Sequence, residues 1–276
     1  YLLEEEIPKL KKWLKSDKPI HTQDDWLRKG DLEGLLFLTP EVWLTEQLYR
    51  RENLPSHLLT IIDRADELED WTKNRLTISI ENEDWEEQIQ IAPQQAKAIL
   101  DVKARLNEAI WERPFNPYQC HLLEQSERDI LEQLLATLAA KNLLSETMNG
   151  FWHSLAGEFQ AEKNCNNLNV SVNLDRDNQI AWGAIARKTG GFSLKITPIS
   201  VASVLEPIWQ RQPVVIIGSF LDRESNALIY RQQLGLEEIL TLKFSPNRQT
   251  EHIQLYLPDR LPMPNTPEFQ GALLAQ

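Results

Sequence analysis

The sequence predicts an α/β fold, a parallel sheet packed with helices and interrupted by a mostly helical inserted domain. Three observations carry that prediction. Apolar runs at Leu35-Leu36-Phe37-Leu38, Leu58-Leu59-Thr60-Ile61-Ile62 and Val214-Val215-Ile216-Ile217 each stop at a polar or glycine-bearing turn. Short continuous runs of this kind mark strands covered on both faces. From about residue 76 to 164 such runs fade, and Gln, Glu and Ala rise under long helical periods. With 276 residues, 42% of them hydrophobic, the chain can bury a real core in one large domain or two smaller ones.

Residues 1–15 place Leu2, Leu3, Ile7, Leu10 and Leu14 at helical spacing, acids first and lysines last, as a helix dipole favours. A polar connection follows. The strand at 34–38 gives way to Thr39 as N-cap and Pro40 at the first helical position, and the helix continues through Trp43 and Leu48 to about Arg51. The strand at 58–62 delivers Asp63 to its carboxyl end, after which Ala65, Leu68 and Trp71 mark a helix folding back onto the sheet. Within the insertion, Ala98, Val102, Leu106 and Ile110 line one helix, Ile130, Leu134, Leu135 and Leu138 a second, and Phe151, Trp152 and Leu155 a third. Pro114 and Pro117 separate the first two. The α/β pattern resumes with strand-like segments at 169–172, 180–185 and 192–196, and Thr189-Gly190-Gly191 signals a hairpin. A helix at 201–210 and the strand beginning at Pro213 close the series.

Composition excludes several classes. A net charge of −12 argues against a non-specific nucleic-acid coat, because phosphate contacts need Lys and Arg to displace counterions. No apolar run reaches the roughly 18 residues of a membrane span, and no basic, apolar leader opens the chain, so a cytoplasmic protein without a membrane partner is expected. Cys120 and Cys165 lack C-x-x-C spacing and read as inert thiols; His21, His57, His121, His153 and His252 form no ligand pair. The chain starts at Tyr1 and goes straight into a helical pattern, from which a piece of a longer polypeptide is expected.

Asp63 is the first residue placed for chemistry. In open α/β sheets ligands bind at the carboxyl ends of the strands, and a lone acid there suits a magnesium ion. The segment Thr60-Ile61-Ile62-Asp63-Arg64-Ala65-Asp66-Glu67-Leu68 resembles the DEAH-box segment of the DinG/XPD family of DNA helicases, with Asp63-Arg64-Ala65-Asp66 where Asp-Glu-Ala-His is usual. Pro213 to Leu221 is similar to that family's motif III, an apolar strand running into Thr-Ser-Ala-Thr-Leu, with Ile217-Gly218-Ser219-Phe220-Leu221 in its place. Leu36-Phe37-Leu38-Thr39-Pro40-Glu41-Val42-Trp43 resembles the segment before the box. Tyr230 to Gly235, Phe244-Ser245-Pro246 and the strand ending at Pro258-Asp259 resemble the connection into a second motor lobe.

The resemblance implies a P-loop, RecA-like motor lobe lacking its P-loop segment. Residues 1–75 and 166–246 would form that lobe, 76–165 a helical arch-like insertion, and 247–276 the start of the second lobe. It implies an ATP-dependent helicase, monomeric, hydrolysing ATP with Mg²⁺ while translocating on single-stranded or forked DNA. Asp63, Arg64 and Asp66 would occupy the catalytic box, with Asp63 ordering the metal. Gly218 and Ser219 would couple the nucleotide site to DNA, and Thr39, Trp43 and Arg248 would approach the DNA strand.

Arg64, Asp66 and the altered motif III favour an alternative, while the missing phosphate cradle is expected upstream of Tyr1. The chain has no G-x-x-x-x-G-K-[ST] phosphate cradle. Arg64 stands where the family's general base is expected, and a guanidinium stays protonated. Both cysteines follow the box, so no iron–sulfur cluster is placed within the chain. The alternative is a catalytically degenerate, helicase-derived nucleic-acid-binding module without ATP turnover. Aspartyl phosphotransfer at Asp63 would want a second carboxylate two positions on, where Ala65 stands. Trp43, Trp71, Trp182 and Trp209 read first as core, since stacking platforms are exposed aromatics among basic residues.

Overall fold

The structure, a computed structural model, describes residues 7–14, 18–23, 33–49, 54, 58–114, 116–155, 158–160, 171–173, 176–186, 191–244, 261–264 and 266–274. It is a mixed α/β chain with two parallel strand pairs, a four-stranded antiparallel sheet and one antiparallel strand pair among the described residues. Cys165, Thr189, Gly190, Arg248 and most of the segment expected to open a second lobe lie outside the described residues.

Helix α1 (Ile7–Leu14) precedes β1 (Ile20–Thr22), which pairs in parallel with β2 (Leu35–Phe37). Gly34 makes that pairing possible. Its φ is +100°, and a Cβ there would run into the Pro19 carbonyl that accepts the Leu35 N–H at 3.0 Å. Helix α2 (Pro40–Leu48) starts as its sequence dictates: the Thr39 hydroxyl accepts the Val42 N–H, and proline sits where an amide hydrogen would find no partner.

Strand β3 (Thr60–Ile62) pairs in parallel with β10 (Val214–Ile216), Ile61 opposite Val215, so the insertion leaves and returns beside the same strand. Helix α3 (Leu68–Leu76) buries Leu68 and Leu76 and contacts α2 and β9 (Gly191–Pro198), and α8 (Ala202–Trp209) buries Leu205 and Ile208 and contacts α2. The Arg75 Nε donates to Thr45 Oγ1 at 2.8 Å and its guanidinium lies over the Tyr49 ring, tying α3 to α2.

The second body is built on a four-stranded antiparallel sheet in the order β4-β9-β8-β5, from β4 (Ile78–Ile80), β5 (Cys120–Leu122), β8 (Gln179–Ala186) and β9 (Gly191–Pro198). Helices α4 (Asn82–Ile91), α5 (Ala96–Trp111), α6 (Gln125–Ala139) and α7 (Glu146–Leu155) accompany it. Ile80, Leu194, Ile196, Ala181 and Ile185 are buried, as are Ile99, Val102, Leu106 and Ile110 of α5 and Leu131, Leu134, Leu135 and Leu138 of α6. Gly183 allows the close approach, since a Cβ there would overlap the Ile110 side chain.

Some polar groups in this core are paired, while Trp85 Nε1, Asn107 Oδ1 and Gln179 Nε2 are buried without a hydrogen-bond partner among the described residues. Gln88 is fully buried and bridges α4 to the loop before α7, donating to the Leu143 carbonyl at 2.6 Å and accepting the Ser145 N–H at 2.8 Å. Glu127 receives two Arg113 hydrogen bonds at 2.6 and 2.7 Å, while its own capping box with Glu124 starts α6. A short hairpin of β6 (Glu158–Gln160) and β7 (Ser171–Asn173) follows α7. Helices α9 (Leu228–Leu234) and α10 (Glu268–Leu274) complete the described elements.

Two expectations change. The segment 76–165, expected to be mostly helical, carries four α-helices among its described residues but also β4 and β5, which pair with β9 and β8, so the sheet crosses the boundary expected at 165. Both strands are three residues long and sit between helices, too short to show a period of two. Nor is β3 covered on both faces. Leu59 and Ile61 are 63% and 60% exposed, and Val215 and Ile217 beside them are 44% and 49% exposed. Among the described residues no helix is long and apolar enough to cross a membrane.

Candidate functional site

The site is the pair of turns leaving β3 and β10 side by side. Parallel register puts Ile62 opposite Ile216, so both chains turn at the same level, at the carboxyl ends of the strands. The Ile217 N–H donates to the Ile62 carbonyl at 2.8 Å, and the Ala65 N–H returns to the Ile217 carbonyl at 2.9 Å. The ladder thus runs one step past each strand and fixes the turn residues.

After Asp63 the backbone enters the left-handed region at Arg64, φ 54° and ψ 39°, then makes one 3-10 turn over Ala65–Glu67 into α3. A left-handed arginine is unusual. It is held by the buried Ala65 on one side and by the Glu67 N–H bond to the Arg64 carbonyl, 3.0 Å, on the other. The Arg64 guanidinium is paired with the Glu67 carboxylate. Both side chains reach solvent, so the pair adds little stability.

Asp63 is exposed at the strand end, and its carboxylate makes no hydrogen bond or ion pair among the described residues. Asp66 turns the other way. Its Oδ1 accepts the Ser219 N–H at 3.3 Å, linking the box to the loop after β10. Glycine at 218 leaves room for this contact, since a Cβ would overlap Leu221 Cδ2 and would lie 2.9 Å from that oxygen and 3.2 Å from the Asp66 nitrogen. The predicted catalytic residues Asp63, Arg64 and Asp66 and the predicted coupling residues Gly218 and Ser219 therefore share one site.

Tyr230 is the site residue whose role the sequence did not show. Its ring is buried and its hydroxyl donates to the Ala65 carbonyl at 2.8 Å, while its backbone N–H donates to Asp222 Oδ2 at 3.0 Å. Burial pushes the Tyr230 phenol well above its usual pKa, with the Asp66 charge adding, so it stays a neutral donor. The backbone N–H groups of Tyr230 and then Glu224 hold the exposed Asp222 carboxyl below its ordinary value. No periodicity marks Tyr230, since its contact is made across 165 positions of sequence.

The predicted DNA contacts do not converge here. Thr39 is used as the cap of α2, and Trp43 is only 7% exposed with its ring stacked on Trp209 at a centroid distance of 6.4 Å. Trp43 is a core residue, as its place on the inner side of α2 demands, and offers no face to a base. Arg248 is outside the described residues.

Among the described residues no three His, Cys, Asp or Glu side chains are grouped to hold a metal ion.

No protein-family model and no curated protein matches the sequence. Among solved structures, a chain titled "XPD_APO" is similar with a TM-score of 0.47 and 12% identity, over 84% of this chain and 46% of that one. This chain spans less than half of that neighbour's length. The functional reading rests on the site itself.

Proposed function

We propose that the chain is part of an ATP-dependent DNA helicase that moves along single-stranded or forked DNA, contributing most of the first of two motor lobes. One observation carries this reading. The box-like turn and the loop resembling motif III leave adjacent parallel strands and are joined directly, Ser219 N–H to Asp66 Oδ1 and Ala65 N–H to the Ile217 carbonyl. A group that senses nucleotide and a loop that senses DNA need that kind of rigid connection to exchange energy.

In this reading Asp63 would hold Mg²⁺ brought with ATP, and the metal would supply charge neutralisation during phosphoryl transfer. Asp66 holds the loop at Gly218 and Ser219 in register with the carboxylate. The sequence has no phosphate cradle, so another segment of the parent protein would supply it. The test is binding of a fluorescent ATP analogue to the parent protein with and without Mg²⁺. Magnesium should tighten binding in the natural sequence and lose that effect in Asp63→Ala; identical magnesium dependence in both would remove Asp63 from the site.

Arg64 favours a second reading, a nucleic-acid-binding module that does not turn ATP over. Its side chain occupies the position of the general base and is neutralised by Glu67 rather than poised to accept a proton. Retained DNA binding without nucleotide hydrolysis would select this reading.

A further inference from the structure

We infer that Tyr230 is a positioning residue through which α9 sets the geometry of the Asp63–Asp66 turn. The inference rests on the proposed role of that turn as a nucleotide-coupled site. Ala65 is gripped on both sides of its own residue: its N–H by the Ile217 carbonyl at the exit of β10, and its carbonyl by the Tyr230 hydroxyl of α9. The loop between those elements is closed at both ends, at Ser219 by Asp66 and at Asp222 by the Tyr230 N–H.

Helix α9 is held at its far end as well, where Leu234 is fully buried. The Leu234 carbonyl accepts the Trp209 Nε1–H at 2.7 Å, and Gly235, φ 65°, terminates the helix. Beyond it the chain runs on as an exposed apolar stretch, with Leu240, Leu242 and Phe244 each more than two-thirds exposed. A displacement of α9 by whatever engages that stretch would be delivered to Ala65 by one hydroxyl. Asp63 and Asp66 flank Ala65 on either side, so the carboxylates would move with it. A tyrosine whose phenol is locked neutral is a suitable link, since it donates at every working pH.

The test is a double-mutant cycle in the parent protein, read by hydrogen exchange at the amides of residues 64–68. Asp222→Ala loosens the start of α9 without touching the turn. With Tyr230 present it should speed exchange at 64–68 about tenfold, and in the Tyr230→Phe background by less than about twofold. Equal acceleration in both backgrounds would overturn the inference. Tyr230→Phe keeps the ring in the core, so unfolding is not the expected confounder, and an unchanged exchange pattern in α5 and α6 checks this.

A second arm separates this inference from the proposed function. Tyr230→Phe should lower kcat for DNA-stimulated ATP turnover at least about fivefold while KM stays within about twofold, a split that simple loss of stability would not produce. Turnover absent in the natural protein together with a positive exchange cycle would refute the motor and leave the Tyr230 linkage standing.

Discussion

Arg64 decides most at the scale of single residues, because it occupies the position at which a general base would be expected. Arg64→Glu removes a solvent-exposed ion pair, so stability should change by less than about 1 kcal/mol. The same substitution places a carboxylate next to Asp63, and ATP turnover of the parent protein should rise, on the order of 10²-fold where a general base is limiting. Steady-state hydrolysis of both proteins checks this, and unchanged turnover would show that the position is not limiting.

Tyr230 gives a pH signature with a defined sign. Its phenol is raised in the folded state, so it contributes stability that is fully present below its unfolded value near pH 10 and is lost as pH climbs toward the folded value. Melting temperature should therefore fall more steeply above about pH 10 in the natural sequence than in Tyr230→Phe. Parallel alkaline profiles would contradict the assignment. Asp222 has the opposite sign: its lowered carboxyl favours folding above the unfolded value and loses that contribution in acid.

Among the elements, what was legible in the sequence is what local chemistry encodes. The Thr39-Pro40 start of α2, the helical faces through Val102, Leu106 and Ile110 and through Leu134, Leu135 and Leu138, and the strands leading to Asp63 and Gly218 all follow from capping and periodicity. β4 and β5 were not legible, because their identity comes from partners in β9 and β8 far along the chain. Ala98 was expected on the inner face of α5, yet Ile99 is buried there, since the stripe rotates by one residue.

Arg113 was also invisible as a structural residue. It joins β5 to α6 by donating to the Leu122 carbonyl and to buried Glu127. Arg113→Ala leaves that carboxylate without its partner and should cost roughly 3 kcal/mol in chemical denaturation. A loss below about 1 kcal/mol would place the ion pair among ordinary surface pairs.

For the whole molecule, the uncovered face of β3 and β10 matters most. Parallel sheets are normally covered on both faces, and the continuous apolar runs of both strands led to that expectation. Leu59, Ile61, Val215 and Ile217 instead share one exposed side of the pair. In the proposed parent protein the remaining strands and helices of the motor lobe would cover it. The site itself was legible because both of its halves are strand ends; its linkage to α9 was not, because a tyrosine hydroxyl on a distant carbonyl leaves no local trace.

The central claim is that Asp63 and the joined turns belong to a working motor. The measurement is ATP hydrolysis by the parent protein with and without single-stranded DNA, beside Asp63→Ala. DNA-stimulated turnover in the natural sequence, reduced on the order of 10²-fold or more by the substitution, is the expected result. Absence of turnover with DNA binding intact, or turnover indifferent to Asp63, would contradict it.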